Sequence, residues 1–312
     1  MLEDESLALL CCPETRGPLH REGGALVTRS GKNSYPILPS GIALLTGTAA
    51  SADGVVQEQH YDRVAAKYLE NLTYAHTEEY TRYLDEAVLR EVAGSSLGTV
   101  AELCCGRGEA FHLLGDRLVR GIGVDMSVAM LEAAARESSG PSLTFVQGDA
   151  TRLPLASESF DNAVVFGGIH HVNDRDRMFA EAFRILKPGG RFFWREPVSD
   201  FLPWRLLRGV IYNVSPALDA KTERPLLYRE TVPALEHAGF RLASWKTYGF
   251  VGFCLLMNSD VLVVNRWLRF LPGIRGFTRF MTRLDDAVLK LPGMAGAGLQ
   301  VVGVAEKPGA PS

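Results

Sequence analysis

The sequence lacks the features that mark secreted, membrane-spanning and disulfide-stabilised proteins. Its five cysteines fall as two adjacent pairs, Cys11 with Cys12 and Cys104 with Cys105, and as Cys254 alone. This spacing does not form a disulfide framework, so a reducing cytoplasm is the expected location. No apolar run reaches the roughly 18 uncharged residues that a spanning helix needs. The first residues are acidic and have no basic stretch, so no signal peptide is predicted.

The chain also lacks an excess of either charge. Its 33 basic and 36 acidic residues give a formal net charge of −3, so no global basic field attracts nucleic acid. Hydrophobic residues make up 46% and charged residues 22%, which is typical of a globular rather than a disordered protein. The mean hydropathy of +0.03 is slightly high for a chain without a membrane span. This apolar excess must be buried or used in binding.

Composition and periodicity divide the chain into three parts. Residues 1–47 contain short apolar segments separated by Gly and Pro turns, which predicts a small β-rich domain. Residues 48–60 are small and polar and are predicted to be a linker. Residues 61–312 form the predicted main domain, which two apolar insertions interrupt at about 198–228 and 250–296. Two units also fit the usual domain size for this length.

Within the main domain, seven apolar strand patterns alternate with amphipathic helix patterns from Gly98 onward. This alternation predicts an α/β fold with a Rossmann-like, doubly wound, mostly parallel seven-stranded sheet. Right-handed crossovers would bring the carboxyl ends of the strands to one edge of this sheet. We expect the functional site at that edge, with the two insertions as a helical cap that binds the substrate.

The strongest local motif is Glu-Leu-Cys-Cys-Gly-Arg-Gly-Glu at 102–109, which follows a strand pattern and opens a helix pattern. Gly106 and Gly108 allow the backbone to approach a ligand closely, and the helix N-terminus offers free N–H groups. Phe111 stands where a dinucleotide fingerprint has its third glycine, so pyrophosphate binding is disfavoured. A tight strand-to-helix turn without a ligand is the alternative.

Acidic residues follow the next strand patterns. Asp125 ends the second strand, where an ionised carboxylate can accept from both hydroxyl groups of a ribose. Asp149 follows the third strand, and its carboxylate can accept from an exocyclic amine such as that of adenine. Phe160 and Asp161 begin the fourth strand, and Leu-Lys-Pro-Gly-Gly at 186–190 precedes the fifth.

Taken in order, these segments resemble those of the class I S-adenosylmethionine-dependent methyltransferases, in their UbiE-like, type 11 group. The resemblance covers about residues 61–197 and the final strands. It implies that S-adenosylmethionine binds over the strand ends as the cofactor. It also implies that Glu102 and the backbone from Gly106 to Gly108 lie near the methionine part of that cofactor.

The same resemblance implies roles for residues at the other strand ends. Asp125 would hold the ribose, and Met126 would pack on the adenine. Asp149 would accept a hydrogen bond from the adenine amino group, and the N–H of Ala150 would donate to a ring nitrogen. No metal takes part in this arrangement.

Three further positions bear on the cofactor. Tyr61 and Tyr68 resemble tyrosines of an N-terminal helix that closes over the methionine end, with packing in the core as the alternative. Cys104 departs from the family, since many members have glycine there. We expect the cysteine to crowd the loop slightly without preventing binding.

The candidate catalytic residues follow the fourth and fifth strands. Gly167 begins the segment that borders the transferred methyl group in this family, and His170 and His171 lie within it. A histidine titrates near neutral pH and can remove a proton from an acceptor, and His171 is slightly preferred. Glu196, at the end of the fifth strand, is a second candidate base. Hydrogen bonding to backbone or a capping role in the pocket is the alternative.

The opening segment resembles the small Trm112-like domain, through Cys12-Pro-Glu-Thr15 and the Tyr-Pro-Ile and Gly-Ile segments that follow. Relatives of that domain hold zinc with two Cys-x-x-Cys pairs, whereas Thr15 replaces the second cysteine here and no second pair follows. Cys11 and His20 do not complete the roughly four ligands that zinc requires. We therefore expect a domain without metal that docks on the main domain of the same chain.

The two insertions favour an apolar small-molecule acceptor, because they concentrate Leu, Trp and Phe near the strand ends. Between Val261 and Arg283 the second insertion has five arginines among aromatic residues and no acid. A helix packed on the core with its arginines in water is the preferred interpretation. A helix lying on a membrane surface and a site for nucleic-acid phosphates are the alternatives.

The preferred function is methyl transfer by in-line displacement to a specialised metabolite, an isoprenoid, a quinone or a lipid-like compound. An RNA methyltransferase is one alternative. The lost metal ligands, the net charge and the lack of an Asn-Pro-Pro-Tyr-like motif at 166–171 make nucleic acid a disfavoured partner. A partner subunit that binds the cofactor without catalysis is another alternative. Peripheral membrane contact and a homo-oligomer remain open.

Overall fold

The structure is a computed structural model of the chain. It describes residues 2–46, 73–92, 96–138, 143–214, 224–257 and 265–309. Of residues 210–214 and 265 only the backbone is described. The predicted linker at 48–60 and the positions of Tyr61 and Tyr68 lie outside these ranges, and so does part of each insertion.

The strands alternate with the helices as the sequence pattern predicts. The strands are β1 (Leu19–Glu22), β2 (Ala25–Thr28), β3 (Ser34–Pro36), β4 (Ala43–Leu44), β5 (Gly98–Leu103), β6 (Leu118–Asp125), β7 (Leu143–Gln147), β8 (Phe160–Phe166), β9 (Leu186–Pro197), β10 (Arg241–Tyr248) and β11 (Gln300–Glu306). Within the described residues β1, β2 and β3 form a small antiparallel sheet, and the other eight strands form a second sheet.

The large sheet has the strand order β10-β11-β9-β8-β5-β6-β7-β4. Six neighbouring strands, from β4 to β9 in that order, are parallel, and β11 runs antiparallel between β9 and β10. The α/β, mostly parallel, doubly wound fold is therefore confirmed. The seven predicted strands are all present, and β4 adds an eighth that sequence reasoning assigned to the N-terminal domain.

The helices connect these strands and cover the sheet. They are α1 (Asp4–Leu7), α2 (Ala75–Glu91), α3 (Glu109–Leu114), α4 (Val128–Glu137), α5 (Arg175–Ile185), α6 (Leu202–Val214), α7 (Tyr228–His237), α8 (Val251–Leu256) and α9 (Ile274–Leu289), with 3₁₀ turns at Gly115–Arg117, Ile169–His171 and Asn265–Phe270. Ser127 begins α4 as predicted, because its Oγ accepts from the N–H of Met130 at 3.3 Å.

The core of the sheet is filled by large side chains from its central strands. Trp194 and Phe192 on β9 are fully buried, together with Phe179 on α5. Gly303 on β11 makes room for the indole of Trp194, since a Cβ there would lie 2.1 Å from its ring. This close packing fixes β9 and β11 beside each other and so fixes the strand ends that follow.

One motif of the resemblance lies far from the expected site. Asp161 stands at the amino end of β8, where its carboxylate accepts from the N–H of Thr99 at 2.8 Å and from Nζ of Lys187 at 2.7 Å. The Lys-Pro-Gly-Gly residues were predicted to precede the fifth strand, but β9 already begins at Leu186. They bulge out of the β8–β9 ladder, whose register passes directly from Leu186 to Arg191. These residues organise the edge opposite the site.

The N-terminal segment packs against the main domain. β4 pairs with β7 in parallel, with Ala43 opposite Val146. The N–H of Cys11 donates to the carbonyl of Pro154 at 3.0 Å, and Arg120 Nη1 reaches Ser6 Oγ at 3.0 Å. Buried residues of both parts form one continuous hydrophobic cluster. These contacts agree with the expected docking within one chain, while the predicted boundary at residue 47 falls outside the described residues and stays a prediction.

The described parts of the two insertions form a helical cap beside the sheet. Tyr248, Gln300 and Pro197 lie opposite one another on adjacent strands, so the cap begins at the carboxyl edge of β9. Its own hydrophobic cluster joins α8 and α9 to α2 through residues such as Phe253 and Tyr80. No helix of the described residues is long and apolar enough to cross a membrane.

Candidate active site

The sequence-predicted site residues that the structure describes lie at the carboxyl ends of five neighbouring parallel strands. Register places Leu103 of β5 opposite Val124 of β6, and Asp125 of β6 opposite Gln147 of β7. On the other side, Phe166 of β8 lies opposite Arg195 of β9. The loops that follow these strands therefore converge on one edge, which is where doubly wound sheets bind ligands.

The loop after β5 approaches this edge with a left-handed backbone. Gly106 and Gly108 have φ values of +50° and +78°, and Gly108 directly precedes α3. Cys104 also has a positive φ of +50°, a conformation that costs a residue with a Cβ about 1–2 kcal/mol. The backbone at position 104 therefore favours glycine, the residue that many members of the family have there, and this chain has cysteine instead.

Gly168, in the loop after β8, lies directly against Cys104, in the loop after β5. A Cβ on Gly168 would stand 2.4 Å from the Cβ of Cys104, so the glycine allows the loops after β5 and β8 to touch. Burial raises the pKa of the Cys104 thiol well above its usual value, and the same holds for Cys105. Both thiols are therefore neutral packing groups at this edge rather than nucleophiles.

Glu102 holds the start of α3 in place. Its carboxylate accepts from the N–H of Ala110 at 2.8 Å and of Phe111 at 3.3 Å. The residue is 1% exposed, and burial raises its pKa to about 8. A carboxylate with this pKa would be stabilised by a cation at the strand ends. That property fits the predicted place of Glu102 near the methionine end of a positively charged cofactor.

Asp125 connects the glycine loop to α4. Its two carboxylate oxygens accept from the N–H of Gly106 at 2.8 Å and of Ser127 at 2.9 Å. Burial raises its pKa, although these backbone donors oppose the shift. Each carboxylate oxygen has a second lone pair, so the group can also accept from a ribose diol. Met126 follows it, half-buried, with its carbonyl accepting from Gln147 Nε2 at 3.0 Å.

Asp149 and Ala150 form a buried turn after β7. Asp149 Oδ1 accepts from the N–H of Thr151 at 2.8 Å and from its Oγ1 at 2.7 Å, which fixes the carboxylate. Both residues are less than one-tenth exposed. The turn neighbours Asp125 through the N–H of Gly148, which donates to the Asp125 carbonyl at 3.0 Å. The ribose and adenine candidates are therefore adjacent, as the resemblance implies.

Glu196 organises the loop after β8. Its Oε1 accepts from the N–H of Gly168 at 2.7 Å and of Ile169 at 2.8 Å, while Oε2 accepts from the N–H of His170 at 3.3 Å. Oε2 also lies 2.8 Å from His170 Nδ1, and Glu196 is fully buried. A carboxylate held by three backbone donors and an imidazole is better suited to position the histidine than to take a proton from a substrate.

His170 is the member of the histidine pair that Glu196 orients. Donation from Nδ1–H to the carboxylate leaves Nε2 as the basic nitrogen of the ring. The His171 ring lies 3.8 Å away, centroid to centroid, and Gly167 begins the turn with a φ of +69°. The sequence-based preference for His171 was slight. The geometry favours His170 as the candidate base, with Glu196 as its positioning residue.

Sequence reasoning did not single out Arg195, which joins several elements at the site. Its guanidinium pairs with Asp85 of α2, lies 3.6 Å from Glu109 and stands 4.6 Å over the Phe166 ring. Arg195 is the strand residue next to Glu196, so strand-end position was the available signal. Through these two acids it connects α2 to the start of α3, directly after the glycine loop.

The N-terminal domain carries its cysteine in a polar contact rather than beside other metal ligands. Cys12 Sγ accepts from the N–H of Thr15 at 3.4 Å and lies 3.0 Å from the Tyr35 hydroxyl. Among the described residues, no group of three or more His, Cys, Asp or Glu side chains is arranged to hold a metal ion. The tyrosine hydroxyl thus occupies one direction from which a metal would approach the thiol.

Two protein families match the sequence. The family described as Methyltransferase domain matches residues 101–194, and the family described as Trm112p-like protein matches residues 4–37. The first range holds the glycine loop and the acidic strand ends described above. The second holds the small antiparallel sheet.

Curated relatives also match part of the sequence. A demethylmenaquinone methyltransferase of Thermobifida fusca is 33% identical over 139 residues, which are 41% of this chain and 59% of that protein. A ubiquinone/menaquinone biosynthesis C-methyltransferase UbiE of Syntrophotalea carbinolica is 29% identical over 58% of this chain and 84% of that protein. The chain covers 54–63% of the length of the first three relatives.

A solved structure supports the fold. It is a complex of the Haloferax volcanii Trm112 methyltransferase activator with a methyltransferase, and it matches at 20% identity with a TM-score of 0.51. The match covers 82% of this chain and 99% of the other. Residues 101–194 thus match the Methyltransferase domain family and residues 4–37 match the Trm112p-like family, within a fold that resembles that of the solved structure.

Proposed function

We propose that this chain methylates an apolar aromatic small molecule of the quinone class, using S-adenosylmethionine. The named relatives that support this acceptor class act on demethylmenaquinone or in ubiquinone and menaquinone biosynthesis. The observation that carries the proposal is the His170–Glu196 pair at the carboxyl edge, next to the predicted cofactor residues. The apolar cap beside the same edge favours an oily acceptor.

The chain's own residues suit the cofactor. Glu102 and the loop at Gly106 and Gly108 would hold its methionine end, and Asp125 would accept from its ribose hydroxyls. Asp149 with the N–H of Ala150 would take the adenine edge, against which Met126 would pack. When bound, S-adenosylmethionine supplies a methyl group on a sulfonium. These assignments rest on the family resemblance and on the adjacency of the strand ends.

His170 would prepare the acceptor. A reduced quinone ring carries phenolic hydroxyl groups, and removal of such a proton raises the electron density of the oxygen and of the neighbouring ring carbons. Nε2 of His170 would accept this proton, because Nδ1 is held by the Glu196 carboxylate at 2.8 Å. The buried carboxylate then stabilises the imidazolium that forms, as a positioning and charge partner.

Aromatic side chains of the cap would exclude water and hold the ring. Phe250 follows β10 at the carboxyl edge, and its ring centroid lies 5.3 Å from that of Trp204 and 6.0 Å from that of Phe201. This cluster joins α6 to the segment before α8. Aromatic rings in contacts of this kind provide an apolar wall against which an apolar acceptor can pack.

The test measures cofactor binding and turnover separately. Calorimetry should detect S-adenosylhomocysteine binding by the full chain and about a hundredfold weaker binding by Asp125→Ala, because two hydrogen bonds to a charged group are lost. Asp116→Ala, in the exposed 3₁₀ turn after α3, is the matched control and should bind normally.

Turnover should then be compared among a reduced naphthoquinone with an isoprenoid tail, a tailless analogue and ribosomal RNA fragments. We expect the first to be methylated fastest. Methylation of RNA alone would replace this proposal with an RNA methyltransferase. Cofactor binding without turnover of any acceptor would favour a non-catalytic partner subunit.

A further inference from the structure

Helix α9 carries an apolar stripe that no described element covers. Its buried side packs on α2 and α8 through Ile274, Thr278, Met281, Asp285 and Leu289. A second side lies about a third of a turn away and is exposed. Its apolar residues recur at helical spacing: Phe277 at 47% exposed, Phe280 at 59% and Leu284 at 42%, with Leu291 at 55% just beyond the helix.

The same region concentrates the exposed apolar surface of the whole described chain. Twelve of the fourteen exposed large hydrophobic side chains lie in α6 and in the segment from α8 to Leu291. The others are Val119 and Tyr228. The 3₁₀ turn before α9 adds Trp267 and Phe270, both more than 60% exposed. This is where the apolar excess of the composition emerges, and clustered exposure of this kind marks an interaction surface.

Basic residues accompany the apolar stripe. The segment 265–291 holds six basic and two acidic residues, a net charge of +4 in a chain of net charge −3. Neither acid is available at the surface stripe: Asp285 is buried and accepts from backbone N–H groups, and Asp286 accepts from the Tyr83 hydroxyl.

Part of this positive charge is used inside the protein. Arg275 and Arg279 pair with Glu78 and Glu79 of α2. The guanidinium of Arg269 lies 4.7 Å over the ring of Phe270 and 4.9 Å over that of Tyr74. The preferred sequence-based interpretation, a helix packed on the core, accounts for these contacts. It does not account for the exposed phenylalanines, or for Arg283, which follows them on the outer face.

We propose that this surface, α9 with the 3₁₀ turn before it, docks on the headgroup layer of a bilayer that contains anionic lipid. Its exposed Phe, Trp and Leu side chains enter the boundary of the acyl chains, and its exposed Arg266 and Arg283 contact lipid phosphates. The surface is a convex helix side about 24 Å long rather than a groove, which suits a plane of lipid.

Two other occupants fit less well. A second copy of the chain related by a twofold axis would bring the same arginines of both copies together in an apolar interface, which like-charge repulsion disfavours. An RNA would need a basic groove with stacking positions, whereas here phenylalanine and leucine form the centre of the stripe. The docking rests on this surface alone and does not depend on the proposed acceptor.

The test uses the full chain and lipid vesicles without cofactor or substrate. Co-sedimentation is measured with vesicles of phosphatidylcholine alone and of phosphatidylcholine mixed with phosphatidylglycerol. We expect clear partition onto the anionic vesicles, which weakens as salt is raised, and much weaker partition onto the neutral ones.

Two variants locate the contact. Phe280→Ser with Leu284→Ser should lower partition at least about tenfold on anionic vesicles, because two exposed apolar side chains no longer leave water. Arg283→Glu should lower it about tenfold or more on anionic vesicles and little on neutral ones. Val119→Ser, which removes an exposed apolar side chain from β6, is the matched control and should leave partition unchanged. Circular dichroism and S-adenosylhomocysteine binding verify folding of each variant.

Absence of partition onto either vesicle would overturn the proposal, and so would anionic partition that both α9 variants retain. A concentration-dependent dimer that Phe280→Ser with Leu284→Ser abolishes, without any vesicle binding, would assign the stripe to a second copy. Methyl transfer is not measured, so failure here leaves the proposed function standing, and failure of turnover leaves this result standing.

Discussion

Replacing Glu196 with glutamine tests the loop and the candidate base together. The glutamine keeps the shape of the side chain, but its NH₂ group cannot accept a hydrogen bond. If its oxygen keeps the bonds to the N–H groups of Gly168 and Ile169, its nitrogen faces the N–H and ring of His170. The ring can then accept at Nδ1 only by carrying its proton on Nε2.

The structure sets the size of the expected effects. One backbone bond to a charged acceptor is lost, and two others become bonds to a neutral one, so unfolding by urea should show a loss of about 2–4 kcal/mol. A proton on Nε2 removes the base, so kcat should fall about 10²–10⁴-fold. Binding of S-adenosylhomocysteine should change little.

The control is Glu236→Gln, which removes an exposed carboxylate of α7 and should alter neither the free energy of unfolding nor kcat. Wild-type stability of Glu196→Gln would refute the role of this carboxylate in holding the loop. A destabilised but folded variant with the wild-type rate and pH profile would leave the loop role intact. That result would refute His170 as the base.

Three other predictions follow from the described contacts. Burial raises the pKa of Glu102 from 4.5 to about 8, so the folded protein binds its proton more tightly and should lose stability as the pH rises through that range, by up to about 1.4 kcal/mol per pH unit. Glu102→Gln should flatten this profile in urea titrations, and an unchanged slope would contradict the assignment. Gly168→Ala should lower the free energy of unfolding by about 1–3 kcal/mol, because the new Cβ overlaps the Cβ of Cys104. Adding Cys104→Gly to this variant should recover most of the lost stability. If the effects of the two substitutions on stability simply added, the proposed overlap would be contradicted. Deletion of residues 1–46 uncovers the β7 edge and should make the remaining chain aggregate in light scattering, whereas a soluble and fully active truncation would be contrary evidence.

The sequence predicted the main sheet because most of its strands are short apolar runs bounded by turn residues. It could also place Asp125 and Asp149 at one edge, since strand ends in a parallel sheet converge. It could not assign β4 to this sheet, because a strand of two residues has no periodicity that would identify its partner. Nor could it separate His170 from His171, since the difference lies in a contact with Glu196, which is 26 residues away from His170.

The N-terminal domain and the helical cap, the two apolar parts of the chain outside the main sheet, differ in how much of their apolar surface they bury. The N-terminal domain buries its apolar residues, such as Leu10 and Leu45, in the same cluster as Leu155 of the main domain. The cap uses one side of α9 in the same way but leaves the side with Phe277 and Phe280 in water. The other side of α9 packs on α2 and α8 of the same chain. The exposed side therefore remains in water although α9 is packed within the described fold. An exposed apolar stripe that includes arginine, in a chain whose net charge is negative, is the kind of surface expected to bind a partner outside the described fold, and the vesicle experiment tests whether that partner is a lipid bilayer.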